Sequence, residues 1–343
     1  MKRFSRRVFA FSIPLLIPVF FYLFLTITRE ISGDIGKMSK IFFEKGYHDK
    51  LAIVPDSLFV KNVEVKEIPD SATILCFGDS FSARRPYPYL QPVGEYFNET
   101  VLNVLYNLDY APEEAALAFL AGAPQSKMPR IMIVESAERC CCPRLFWLDT
   151  TNCHFLDQLQ KGKKHSSSTS KKSFEKEFIS FCQYRLGWDD GTISAKANKL
   201  CFTSKGNEDE LFSYYEDTIH YPDEFIVAAA EKLQQLHQFA KNRNVELVYV
   251  VATNKSTLYA PYTNNENLYF TIENRVAFDT LPFCFNPTNI IRQLDQSGEK
   301  DIYYCDDTHW TPKTAKIVGE KLTEIIIQTN RIAQKNVRNA ELL

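Results

Sequence analysis

A chain of 343 residues, 45% of them hydrophobic, has the apolar mass for one large domain or two ordinary ones, which excludes an unfolded polypeptide. Its 40 Lys and Arg nearly balance 42 Asp and Glu, so the net charge of −2 gives no electrostatic case for a nucleic-acid partner. Local charge is more informative.

The first seven residues hold four basic side chains, Lys2, Arg3, Arg6 and Arg7, and the stretch from Val8 to Ile27 holds no charged one. That run is about as long as a helix needs to cross a bilayer. No Ala-x-Ala site follows it and the sequence stays bulky, so an uncleaved anchor is expected in preference to a cleaved signal peptide. Pro14 and Pro18 are tolerated in a membrane helix. The basic tip should stay in the cytoplasm, giving a single-pass membrane protein with an extracytoplasmic working domain, periplasmic in a cell with an outer membrane. The expected organisation is a tip and anchor over 1–29, a linker and lead-in over 30–69, the working domain over 70–330 with an insertion around 150–220, and a tail over 331–343.

Beyond the anchor, strand-like and helix-like stretches alternate, as in an α/β domain with a mainly parallel sheet. ATILCFG (72–78) is a short apolar run and TVLNVLYN (100–107) a second strand. APEEAALAFLAGA (111–123) has helix formers with an acidic first turn, and RIMIVES (130–136) is a third strand. Cys140-Cys141-Cys142, with Cys153-His154 beyond, brings thiolates and imidazole together, but adjacent cysteines rarely present their sulfurs to one tetrahedral centre, so packing or disulfides are expected and no metal. Nine cysteines suit an oxidising compartment, with at least one unpaired within the chain. KGKKHSSSTSKKS (161–173) reads as a polar surface loop. Glu231 to Asn244 is amphipathic at helical spacing, VELVYVVA (245–252) is a fourth strand, and TPKTAKIVGEKLTEIIIQTNRI (311–332) is a long helix opening on Thr311-Pro312.

Two short stretches carry chemistry. The first strand ends in Gly78-Asp79-Ser80, and in a parallel α/β sheet ligands bind at the carboxyl ends of the strands. Gly78 can adopt a backbone conformation forbidden to other residues, which would turn the chain sharply and present the Ser80 hydroxyl. A serine nucleophile needs a base, and the base needs a partner. Of six histidines, His154, His165, His220 and His237 have no arranged neighbourhood in sequence and His48 lies in KGYHDK, which reads as a loop, whereas His309 stands in IYYCDDTHWTPKTA with Asp307 two residues and Asp306 three residues before it. A carboxylate so close can accept from one ring nitrogen while the other faces the serine. The candidate catalytic set is therefore Ser80, His309 and Asp307, with Asp306 as the alternative carboxylate. The backbone amide of Ser80 is the first expected oxyanion donor, and Asn103 or Asn107 the second. Tyr87, Tyr89, Tyr106 and Tyr110 offer aromatic faces for sugar stacking or for packing. No phosphate-cradling glycine loop is present and no cofactor is implied.

GDSFS and DDTHW together resemble the serine and Asp/His blocks of the SGNH (GDSL) hydrolase superfamily, more closely the bacterial polysaccharide O-acetyltransferases of the alginate-acetylation type. IVESAERC, with Glu135, Glu138 and Arg139, and VVATNKSTLY, with Lys255 and Tyr259, are similar to two further motifs of that group. The resemblance covers ordered motifs over roughly residues 70 to 325. It implies a three-layer α/β/α domain, an acetyl-serine intermediate, an acetyl donor, a glycan acceptor, an integral-membrane acyltransferase partner, and Arg139 and Lys255 as substrate-binding residues. Water in place of the sugar would make a carbohydrate acetylesterase, and loss of turnover a scaffold of an export complex. Two departures stand out. The serine precedes the histidine block, as in ordinary SGNH hydrolases, and the superfamily's Gly-x-Asn-Asp block has no counterpart.

Overall fold

The computed structural model describes residues 46–83, 87–105, 110–149, 192–214, 219, 221–264 and 276–341, together with short stretches at 16–17, 19–20, 29–30 and 43–44. The expected anchor falls almost wholly outside the described residues, as do the lysine-serine loop, Cys153 and His154. Among the described residues no helix is long and apolar enough to cross a membrane.

The four predicted apolar runs form the four central strands of the main sheet. Val60–Val63 (β1), Ile74–Gly78 (β2), Val101–Leu105 (β3), Ile131–Ala137 (β4), Glu246–Ala252 (β7) and Cys284–Phe285 (β8) make one six-stranded sheet in the order β8-β7-β4-β2-β3-β1. Every pairing in it is parallel. Two further strands, Thr192–Lys196 (β5) and Glu210–Tyr214 (β6), form a separate antiparallel pair within the expected insertion.

Helices cover both faces of the sheet, which is why its central strands are continuously apolar rather than alternating. Ile74 and Cys76 point to one face, where they join Val93 of α2 (Gln91–Phe97), Ile291 of α7 (Thr288–Gln296), and Val318 and Leu322 of α8 (Pro312–Glu341). Leu75 and Phe77 point to the other, with Phe119 of α3 (Pro112–Gly122), Leu145 of α4 (Glu138–Phe146) and Leu233 of α5 (Asp223–Asn242). Full burial of a Leu or Phe side chain contributes about 1.5–3 kcal/mol, so this strand is anchored from both sides.

Some boundaries differ from expectation. β1 lies before residue 70 and pairs with β3 as the edge strand, so the sheet reaches back into the expected lead-in. Its sequence, VKNV, escapes notice because an edge strand with Lys61 facing solvent shows no apolar run. α5 starts at Asp223 rather than Glu231, using Asp223 and Glu224 as an acidic first turn after Pro222. α8 continues to Glu341, through the expected tail.

The strand order decides where a ligand can sit. The chain leaves β2 to form β3 on one side, then crosses back to form β4 on the other, so the connections on the two sides of β2 diverge at its carboxyl end. That divergence opens the crevice in which open α/β sheets bind ligands. Ser80 is two residues beyond it.

Candidate active site

The serine turn is built on Glu135, near the carboxyl end of β4. Its Oε2 accepts the backbone N–H groups of Asp79 at 2.8 Å and Ser82 at 3.1 Å, while Ser82 Oγ donates to the Asp79 carbonyl at 2.8 Å. The chain is thereby folded back so tightly that a Cβ at position 78 would lie 2.0 Å from Ser82 Oγ and 2.6 Å from Ser82 Cβ. Gly78 is needed for this close approach. Its φ is not in the left-handed region, contrary to the expectation from sequence. Glu135 is fully buried, and burial together with the neighbouring Asp79 pushes its carboxyl up to about 8.

Asp79 is held from the opposite side. Arg144 of α4 donates to Asp79 Oδ2 at 2.7 Å and to Ser136 Oγ at 2.8 Å. Burial raises the Asp79 carboxyl, but the Arg144 guanidinium outweighs it and the group ends below the usual carboxylate range. Asp79 Oδ1 accepts the Ser80 N–H at 2.8 Å, so the expected first oxyanion donor rests on a neighbouring carboxylate in this state. Ser80 itself is half-buried.

The histidine block is a tight loop between α7 and α8. Tyr304 N–H donates to the His309 carbonyl at 3.2 Å and Thr311 N–H to the Ile302 carbonyl at 3.1 Å, closing residues 302–311 into a narrow hairpin. Inside it, His309 Nδ1 makes a short contact with Asp307 Oδ1, and the same oxygen accepts the His309 backbone N–H at 3.1 Å. Both side chains are almost completely buried. With Nδ1 committed to Asp307, proton exchange with a hydroxyl falls to Nε2.

Phe81, the residue after Ser80, brings the two blocks together. Its ring centroid is 4.7 Å from that of His309 and 4.6 Å from that of Trp310. Aromatic packing thus places the histidine loop over the serine turn.

Of the two aspartates, Asp307 takes His309. Asp306 faces His48 instead, whose Nε2 is 2.9 and 3.0 Å from its two oxygens. Lys255 is placed differently from the substrate-binding role the resemblance implies. It is wholly buried, and its Nζ donates to the carbonyls of Tyr304 at 2.9 Å, Cys305 at 2.8 Å and Asp307 at 3.4 Å. It clamps the histidine loop from within. Its own turn, at the start of α6 (Lys255–Tyr259), is held by Glu138, whose Oε2 accepts Asn254 N–H at 2.7 Å and Thr257 Oγ1 at 2.5 Å. Arg139 is half-buried, donates to Asn254 Oδ1 at 3.3 Å and lies over the Tyr214 ring at 5.0 Å.

Asn103 does not reach the serine. It sits at mid-strand in register with Cys76, four positions before Ser80, and its amide donates to Asn62 across the β1–β3 pair at 3.0 Å. A polar residue inside a buried strand is more cheaply satisfied by a neighbouring strand than at the sheet's end. Asn107 and Tyr106 lie outside the described residues. Tyr87 and Tyr89 are buried, Tyr89 completely, and pack rather than offer open faces.

Glu135, Glu138 and Arg144 are the supporting residues that sequence reasoning left without a role. Their signal was present, since a carboxylate near the end of an apolar run such as IMIVES is costly to bury unless it accepts donors. Cys141 and Cys142 are buried residues of α4 and free thiols, with sulfurs 3.9 Å apart. Among the described residues no group of three or more His, Cys, Asp or Glu side chains is arranged to hold a metal ion. Comparison of the chain with protein-family models, with curated proteins and with solved structures finds no match in any of the three.

Proposed function

We propose that the chain is an SGNH-like serine acyl-transfer enzyme that works as an O-acetyltransferase on a cell-surface or exported polysaccharide. The observation that carries this reading is the buried Asp307–His309 pair held over the turn that bears Ser80, at the point of the sheet where ligands bind. His309 Nε2 takes the Ser80 proton as Oγ attacks the carbonyl of an acetyl donor. Asp307 keeps the proton on Nδ1 and stabilises the imidazolium. The new oxyanion competes with Asp79 for the Ser80 N–H, and the leaving group departs with the proton from His309. An acetyl-serine results. His309 then deprotonates a sugar hydroxyl, which takes the acetyl group and regenerates Ser80. Tethering outside the cytoplasm by an N-terminal anchor suits a protein that receives acetyl groups from an integral-membrane partner and modifies a glycan in export.

The test uses the full chain with an activated acetyl ester, alongside Ser80→Ala and His309→Ala. The expected result is a mass increase of one acetyl group on the wild type that is absent from Ser80→Ala, and turnover that accelerates when an acceptor oligosaccharide is added. Turnover indifferent to oligosaccharide would make the protein an acetylesterase. Wild type and both variants equally inert over a wide donor range would refute acyl transfer and leave a scaffold.

A further inference from the structure

The segment KGYHDK, residues 45–50, belongs to neither block that the acyl-transfer reading uses, and lies about thirty positions before the serine in sequence. Residues 46–50 of it are docked on the histidine loop. Gly46, at φ +84°, turns the chain into α1 (Tyr47–Leu51), a conformation that a side chain would strain. Tyr47 is buried, donates its hydroxyl to Asp301 Oδ1 at 2.8 Å and accepts the Cys305 N–H at 3.3 Å. His48 stacks on Tyr304 with ring centroids 4.3 Å apart and planes 15° from parallel.

We propose that His48 is a positioning residue for the Ser80 centre: by gripping Asp306 it fixes the direction of the next residue, Asp307, against His309. This rests on the acyl-transfer reading. The geometry suits the task, because Nε2 is nearly equidistant from both Asp306 oxygens, so a single N–H sets the plane of the carboxylate as well as its position. Asp306 has no exposed surface, and His48 retains 20% of its own, so the grip is made at the edge of the fold on a group inside it. Around the loop stand the ammonium of Lys255, the Tyr47 hydroxyl, the Cys305 thiol and the Asp301 and Asp307 carboxylates. Two consecutive aspartates thus receive two histidines, one from the same loop and one from far upstream, and the doubled Asp of DDTH acquires a reason.

The experiment compares the full chain as wild type, His48→Ala, His48→Gln and Asp306→Asn. Two readouts are taken: the pH profile of kcat/KM for an acetyl ester, and the downfield imidazole proton of the His309–Asp307 bond by NMR, identified by its absence from His309→Ala. Removing the His48 donor leaves more of the Asp306 charge to act on His309 and favours the imidazolium. In His48→Ala the acid limb of the profile should therefore move to higher pH, by about half a unit, with kcat/KM down about tenfold. The imidazole proton should exchange faster. His48→Gln, which can still donate to Asp306, should recover most of both. A His48→Ala protein unchanged in either readout overturns the proposal, as does a His48→Gln protein that is folded yet no better than His48→Ala. If His48→Ala fails to fold, Asp306→Asn carries the test: an imidazole proton and a kcat/KM both like those of the wild type overturn it. A wild type inert towards every ester refutes the acyl-transfer reading itself, and the imidazole proton still reports whether His48 controls the pair.

Discussion

Replacing Lys255 by methionine keeps the length of the stem and removes the ammonium that binds the carbonyls of Tyr304 and Cys305 at 2.9 and 2.8 Å. Charge-assisted bonds of ordinary length contribute about 1.5–3 kcal/mol each, so the gross loss is about 3–6 kcal/mol; the third, at 3.4 Å, adds little. Opposing this is the desolvation of a cation with no exposed surface, a penalty of several kcal/mol that the wild type carries and the variant does not. The two largely cancel. Net folding stability should therefore fall by only about 1–2 kcal/mol, while the 304–309 loop loses the grip that holds His309 against Phe81, the neighbour of Ser80. A displacement of about 1 Å at a catalytic group costs about a hundredfold in rate, and that is the expected loss in kcat/KM. Urea unfolding and ester turnover on one preparation of Lys255→Met measure both. Turnover at half the wild-type rate or more would show that the loop needs no clamp, and a stability loss above about 5 kcal/mol would show that Lys255 serves the core rather than the site.

The two aspartates should separate cleanly. Asp307→Asn, which removes the acceptor for His309 Nδ1–H, should lower kcat by about three to four orders of magnitude, and Asp306→Asn by about tenfold, in parallel esterase assays; equal losses would contradict the assignment of Asp307 to His309. Gly78→Ala places a methyl 2.0 Å from Ser82 Oγ and should cost about 1–3 kcal/mol by thermal unfolding, along with most of the activity; a fully active, stable variant would mean that the serine turn tolerates being opened. Glu135, with its carboxyl raised to about 8, favours the folded state fully below its unfolded value and loses that contribution as pH rises through 8. Stability should thus decline between about pH 5 and 8 by at most about 1.4 kcal/mol per unit from this group, and Glu135→Gln should flatten that slope in urea titrations at several pH values. An unaltered slope would place the dependence elsewhere.

Local chemistry was legible in the linear chain wherever a residue's role depends on its near neighbours. β2, β3, β4 and β7 announce themselves because a strand buried on both faces has to be continuously apolar, and GDSFS and DDTHW stand out because a turn after a strand and a carboxylate two residues before a histidine are short-range patterns. From these the mainly parallel α/β sheet could be anticipated, and the pairing of Ser80 with His309 could be proposed. Tertiary structure alone decided the partners that lie far apart in sequence. Lys255 stands as a substrate-binding cation by resemblance until three carbonyls from residues 304–307 close around it, and Asn103 reads as a donor near the serine until Asn62 of β1 claims it. Asp307 and its alternative Asp306 are adjacent in sequence, and the folded loop separates them by turning Asp307 to His309 and Asp306 to His48, 258 positions away. The physical reason is common to all of these. Burying a charge or an amide is favourable only when a partner stands within about 3 Å, and which side chain stands there is set by how the sheet orders its strands, not by spacing along the chain.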